Sequence, residues 1–353
     1  MNRFLQLHLL TSYPPANLNR DDLGRPKTAI MGGATRLRIS SQSLKRAWRK
    51  SDLFAEAVKG HVGTRTKEMG RATFKRLVAT GVAEKKARSW ANKIAGQFGK
   101  PQSLNKDHPD RDLLIEQLAH FSPEEVTAIE DLVDTLAERD SDPTDEELRL
   151  LREKPAAADI ALFGRMLASS RIHNVEAAAQ VAHAITVHKV AVENDFFTAV
   201  DDLNTVEDEA GAGHMGETEF GAGLFYLYIC IDRQMLAENL RDDQDLISKT
   251  LAALVEATTK VAPTGKQNSF ASRAHASWVM SETGNQQPRS LSVAFLNPVS
   301  GRKKGVLTES IEQLEHEVEN MDRAYGACAD QRATMNVAAG VGTLDDIIRC
   351  ATE

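Results

Sequence analysis

Between Ala34 and Ser51 the chain holds no acidic residue, although a helix starts there. The segment Ser40-Ser41-Gln42-Ser43-Leu44-Lys45-Arg46-Ala47-Trp48-Arg49-Lys50 opens on serines, which cap exposed amide groups well. The first turn of a helix presents free N–H groups and partial positive charge, so acids normally occupy it and cations there cost stability. A bound phosphate reverses that cost, because amides, hydroxyls and basic groups all face it. Spacing by four puts Lys45 with Arg49 on one face and Gln42 with Arg46 on another, leaving Leu44, Ala47 and Trp48 for the core.

The wider stretch from Asn19 to Lys50 holds nine basic residues against only Asp21 and Asp22, in a chain whose formal net charge is -7. A polyanion held against one face explains a local charge opposite to the global one; a solvated basic helix is the alternative. The neighbouring polar loop with Arg20 and Lys27, and the hydroxyl and amide groups, favour anion binding. The acidic total rules out a blanket polycation, so any nucleic acid is held by a patch.

With 353 residues the chain is long enough for two or three domains. Its cysteines, Cys230, Cys328 and Cys350, are odd in number and lack CxxC spacing, which argues against a disulfide framework and suits a reducing compartment. The N-terminal apolar run, interrupted by Gln6 and His8, is too short and polar for a signal peptide, and no run suffices for a membrane span. A soluble cytoplasmic protein is expected, with no membrane partner.

Residues 4–10 alternate like a strand, with Leu5, Leu7 and Leu9 opposite Gln6 and His8, until Tyr13-Pro14-Pro15 stops them. A strand over 35–39 precedes a helix from Ser40-Ser41 to about Lys59. Residues 60–155 read as helices with polar connections: Arg71 to Phe98 despite Gly81, a start at Pro123-Glu124-Glu125, and another at Asp142-Pro143-Thr144. Strands are expected over Asp159–Met166, Phe220–Asp232 and Arg289–Asn297, and helices over Arg241–Val261, Thr308–Tyr325 and Leu344–Ala351. Val175 to Val192 is ambiguous. Stripped of insertions, the order is strand, helix, strand, strand, helix, strand, that of the ferredoxin-like, RNA-recognition folds.

At these residues the chain resembles a known family. Leu18-Asn19-Arg20-Asp21-Asp22, Pro26-Lys27, Gly32-Gly33 and Arg36 through Arg46 look like the guide-RNA-binding backbone subunit (CasC-type) of the type I-E CRISPR surveillance complex, Cascade. Val181 to Thr186, Asp195 to Leu203, Gly221 to Tyr228 and Pro263-Thr264-Gly265-Lys266-Gln267 match as well, while residues 60–155 carry no matching motif. The resemblance implies an α+β protein: a modified ferredoxin-like, RRM-like palm (1–59, 156–191 and 220–353), a helical fingers insertion (60–155) and a thumb hairpin (192–219). It implies a noncatalytic scaffold without cofactor or metal that polymerises along a CRISPR guide RNA. Its partners would be that RNA, target DNA, further copies of itself and other Cascade subunits. On matching positions, Arg20, Lys27, Ser40, Gln42, Lys45, Arg46 and Arg49 would contact the guide backbone, Lys266 would add a basic contact, and Met166 would wedge against bases. The acidic thumb (Glu207, Asp208, Glu209, Glu217, Glu219) would meet RNA through backbone or apolar atoms, or face basic residues of the next subunit. Sequence-independent binding suits phosphate and sugar contacts, and aromatics for base stacking are scarce in the motif.

Other signals are weaker. Gly211-Ala212-Gly213-His214-Met215-Gly216 satisfies GxGxxG but lacks the preceding strand and following helix of a dinucleotide site, so a hairpin tip is the better reading. His183 and His188 are five apart, where helical metal pairs prefer four. Asp201-Asp202 could hold Mg²⁺, although such pairs usually cap or are solvated. Arg302-Lys303-Lys304 is either a second nucleic-acid contact or an exposed turn. The competing functions are a repeat-processing endoribonuclease using His8 or His214 as base, and a lone regulatory RNA-binding protein.

Overall fold

The computed structural model describes residues 2–104, 108–199 and 214–353, without the side chains of Ala199, His214 and Met215. In chain order the elements are β1 (Phe4–Ala16), β2 (Thr28–Met31), β3 (Ala34–Ile39), α1 (Ser41–Arg49), α2 (Asp52–Ala57), β4 (Thr64–Thr66), α3 (Met69–Ala79), α4 (Glu84–Gly96), β5 (Ala119–Phe121), α5 (Pro123–Arg139) and α6 (Ala158–Phe163). There follow β6 (Ala179–Val181), β7 (Ala184–Thr186), β8 (Glu193–Ala199), β9 (His214–Asp232), α7 (Arg233–Asn239), α8 (Gln244–Lys260), α9 (Gln267–Phe270), β10 (Ala276–Gly284), α10 (Val306–Tyr325), β11 (Gln331–Asn336) and α11 (Leu344–Thr352). The chain is α+β, as expected, and divides into two compact units: Met1–Phe54 with Val181–Cys230 and Leu251–Glu353, and Ala55–Gln180 with Ile231–Thr250. The second unit thus takes in residues 156–180 and 231–250 besides the stretch read as a helical insertion.

The first unit is built on a sheet with the strand order β11-β10-β1-β9-β7-β3-β2, and β8 pairs with β9 off that path. β1 runs antiparallel to β10 from Phe4↔Gly284 to Leu10↔Trp278, then slips at Thr11. It continues through Pro14 and Pro15 to Ala16, beyond the expected stop, because both prolines are exposed and lie past the last β10 partner. On one face, Leu10, Tyr226, Trp278 and Met280 pack with Leu291, Phe295 and the α10 residues Ile311, Leu314 and Val318. Elsewhere in the unit, Leu44 and Trp48 of α1 meet Tyr13, Ile39, Phe225 and Leu227 around a small gap. Burying an apolar side chain of this size stabilises a fold by roughly 1.5–3 kcal/mol.

Several expected elements differ. The helix from Ser40 breaks at Ser51, whose hydroxyl donates to the Trp48 carbonyl at 2.7 Å and accepts the Phe54 N–H at 3.2 Å, ending α1 and starting α2. Asp159–Met166 is not a strand but α6; a short buried apolar run does not separate the two by periodicity. Here Gly164 ends the helix at φ 79°, a left-handed conformation glycine adopts freely. Arg289–Asn297 is not a strand either. The Leu291 N–H goes to the Tyr226 hydroxyl at 3.1 Å instead of a ladder, and a 3₁₀ turn follows over Ser292–Phe295. The strand that completes the sheet is β10, whose Ser281, Glu282 and Thr283 are polar yet buried. Glu282 is reconciled with burial by Arg289 and by Arg332, whose Nε lies at 2.8 Å. Arg71 to Phe98 is two helices separated at Gly81, and Asp142-Pro143-Thr144 starts only turns.

The second unit packs α3, α4 and α5 around Trp90, Phe98, Phe121, Ile129 and Val133 beside the β4–β5 pair. α5 begins where expected. Ser122 accepts the Glu125 N–H, the Glu125 side chain accepts the Ser122 N–H, and Pro123 takes the first helical position.

Candidate nucleic-acid interface

The basic residues that the resemblance assigns to the guide lie in the first unit, on three segments: the Arg20–Lys27 loop, α1 and the Lys266 loop. Asn19 is the organiser. Its side-chain oxygen accepts the Ser40 N–H at 2.8 Å and its carbonyl accepts the Lys27 N–H at 2.9 Å, so loop 19–27 is fastened to the start of α1. Lys27 in turn accepts the Arg38 N–H at 2.8 Å, joining the loop to β3. Asp21 is consumed internally, since its carboxylate accepts the N–H groups of Leu23 and Arg25 at 3.0 and 2.9 Å. Asn17 is buried and donates to the carbonyls of Gly24 and Glu219 at 3.0 and 2.9 Å, anchoring the loop to the base of the β8–β9 hairpin.

The third segment is the Pro263–Gln267 loop. A Cβ on Gly265 would stand 2.3 Å from the Leu18 carbonyl oxygen, so only glycine permits this approach of the two backbones. The approach sets the loop carrying exposed Lys266 against the root of the Arg20 loop.

α1 presents the arrangement its spacing predicts. Leu44, Ala47 and Trp48 are buried, Gln42 and Arg46 are exposed, and Lys45 and Arg49 are half-buried. Partial burial lowers the pKa of the Lys45 ammonium. The first turn has no acid, and Ser40 makes no side-chain cap bond. Ser40 itself is only 7% exposed, its N–H is taken by Asn19 and its carbonyl by the Ser43 and Leu44 N–H groups, which leaves the hydroxyl as its group for a ligand. Arg20, Lys27, Arg46 and Lys266 make no ion pair among the described residues. Arg36, in the same motif, is not on this surface. It is fully buried and donates to the carbonyls of Thr186 and Phe295, both at 2.9 Å, clamping the sheet.

Met166 belongs to the second unit, where it is 75% exposed on the rim of a cavity of about 260 Å³ lined by Phe98, Lys100, Glu116 and Leu118.

The other candidates resolve differently. His8 is fully buried, although the alternation of β1 placed it on the face opposite the leucines. Its Nδ1 lies 2.9 Å from the Tyr226 hydroxyl and its Nε2 3.3 Å from Glu282, and burial foremost lowers its pKa. The ionised Glu282 carboxylate can only accept, so it favours the ring proton on Nε2 and leaves Nδ1 to accept from the Tyr226 hydroxyl. A ring so enclosed cannot reach an RNA hydroxyl. His188 accepts the Leu224 N–H at 3.1 Å and its other nitrogen lies 3.0 Å from the Lys189 carbonyl; it is structural. His183 pairs instead with Arg38, a contact that sequence spacing alone gave no reason to expect. Among the described residues no group of His, Cys, Asp and Glu could hold a metal ion, and no helix is long and apolar enough to cross a membrane. Asp201-Asp202, residues 211–213 of the GxGxxG pattern, the acids Glu207, Asp208 and Glu209, and the His214 side chain lie outside the described residues. In the Arg302-Lys303-Lys304 turn, Lys304 pairs with Glu312, and Glu309 accepts the Lys303 and Lys304 N–H groups.

Fold and surface together define an α+β protein with a basic surface at a helix start, four of whose cations make no ion pair among the described residues. The chain belongs to the CT1975-like protein family, whose model matches residues 5–347. Among solved structures it is similar to a chain of a "CRISPR RNA-guided surveillance complex, pre-nicking", with 30% identity and a TM-score of 0.84 over 99% of this chain and 100% of that one. A chain of a second "CRISPR RNA-guided surveillance complex" shares the fold at 23% identity and a TM-score of 0.74, over 99% of this chain and 100% of that one. No curated protein matches. The resemblance read from the sequence and these matches point to the same kind of subunit.

Proposed function

We propose that this chain is a noncatalytic scaffold subunit of a CRISPR RNA-guided surveillance complex. It grips the sugar-phosphate backbone of the guide without reading bases, lines up along the guide with further copies of itself and other subunits, and leaves guide bases free to pair with target DNA. The β10-β1-β9-β7 sheet serves as an RRM-like palm, the second unit supplies the fingers, and the β8–β9 hairpin forms the base of the thumb. Arg20, Lys27, Ser40 through its hydroxyl, Gln42, Lys45, Arg46, Arg49 and Lys266 contact phosphate and ribose. Met166 offers an apolar surface to bases.

The observation that carries this reading is the set of cations around the open first turn of α1 that have no acidic partner among the described residues. Free amides, helix dipole and cations there all favour one ligand class, a strand of phosphates. Replacing Lys45→Ala together with Arg46→Ala is expected to weaken binding of guide-length RNAs of unrelated sequence about equally, by roughly 10- to 100-fold at low salt, and to reduce the salt slope by about 1.4 for two lost single-strand phosphate contacts. Unchanged affinity and slope in a filter-binding or anisotropy titration would remove α1 from the interface.

A further inference from the structure

Beside the loop, Arg38 and His183 stand close to Lys27, and neither of these two is absorbed by the core or used in the contacts proposed above. Arg38 lies on β3, paired across the sheet with Ile185 of β7. Its guanidinium stands 2.7 Å from Nδ1 of exposed His183, which immediately precedes β7. Lys27 is joined to Arg38 through its carbonyl. A guanidinium can only donate, so His183 Nδ1 accepts and the ring is neutral with its proton on Nε2. The trio therefore offers the Lys27 ammonium, the remaining Arg38 N–H groups and the His183 Nε2–H, all donors. Burial foremost, then the positive charges of Arg38 and Lys27, lower the pKa of His183; no carboxylate among the described residues acts on it. Three donor groups with no facing acid match a ligand rich in anionic oxygens.

We propose that His183 is a proton-coupled contact to a phosphodiester of the bound strand, held ready by Arg38 and Lys27. This inference rests on the RNA-binding reading above. In the free protein His183 is neutral. When a phosphate enters, its charge offsets the two cations, the Arg38 guanidinium turns from the ring to the phosphate, and His183 takes one proton from solvent onto Nδ1. Binding then consumes a proton, so affinity rises as pH falls from the bound-state pKa toward the lowered free-state pKa.

The test measures RNA affinity at constant ionic strength for the wild-type protein and for His183→Gln, which keeps a side-chain N–H donor but cannot be protonated. Wild-type affinity is expected to rise about five- to tenfold between about pH 8 and about pH 6, the range in which histidine switches. The variant should stay within about threefold of wild type at the higher pH and lose most of the pH dependence. In protein carrying ¹³C-labelled histidine, the titration midpoint of His183 should move upward when RNA is added. If RNA binds but the variant keeps the wild-type pH dependence, or the midpoint stays or falls, this inference fails while the RNA-binding reading stands. If the wild-type protein binds no RNA, both fail.

Discussion

The second unit and the α1 region of the first treat positive charge in opposite ways. In the second, Arg165 is fully buried and saturated: Nη1 reaches both Glu125 carboxylate oxygens at 2.8 Å, and Nη2 donates to the carbonyls of Arg152 and His173 at 2.7 and 3.0 Å. Arg76 pairs with Asp134, Arg88 with Asp110 and Asp112, and Arg139 with Glu147. In the first unit, around the Asn19 loop and α1, Asp21 is spent on its own turn and Arg20, Lys27, Arg46 and Lys266 keep no acidic partner among the described residues. These charges in the second unit are internal stitching, and their partners are already in place. Arg20, Lys27, Arg46 and Lys266 have no such partner among the described residues, as the proposed grip on RNA requires.

That contrast can be broken most forcefully at Arg165. Removing one partner of a buried, hydrogen-bonded pair leaves the other charged and alone, so Arg165→Ala should lower unfolding free energy by about 3–5 kcal/mol. Urea denaturation checks this, and a loss below about 1 kcal/mol would mean the pair is not the buried staple described. The most discriminating change is Ser43→Glu. It puts an acid in the first turn of α1, where the helix dipole favours it, so the protein should be stabilised by about 0.3–1 kcal/mol while RNA affinity falls about tenfold. Thermal melting beside an RNA titration reads both signs at once; parallel movement of stability and affinity would refute the division between structural and recognition charge. The smallest expected effect is at Lys266→Ala, a few-fold loss of affinity with a salt slope smaller by about 0.7 and an unaltered melting curve.

Much of the α1 surface was legible because it depends on local order. Helix spacing alone separated Leu44, Ala47 and Trp48 from Gln42, Lys45, Arg46 and Arg49, and the structure keeps that separation. What stayed hidden depends on partners distant in sequence. Arg36 looks like its neighbours Arg38 and Lys45 until the carbonyls of Thr186 and Phe295 close around it. β10 was missed because Glu282 breaks its apolar pattern, and the arginines that make its burial tolerable lie 7 and 50 residues away in the chain. His8 looked solvent-facing because alternation in β1 implies one wet face, whereas both faces of this sheet are covered in the first unit. His183 was weighed as a metal ligand with His188; spacing along the chain gave no sign of the guanidinium beside it.

The Asn19 clamp has a kinetic consequence. Because one carboxamide and its own carbonyl already fix the loop to the helix start, docking a ligand requires little further ordering of backbone, and the entropy usually lost when a recognition loop closes is small. Encounter on this surface should therefore be limited by diffusion and ionic steering, with residence time set by how many phosphates are engaged at once.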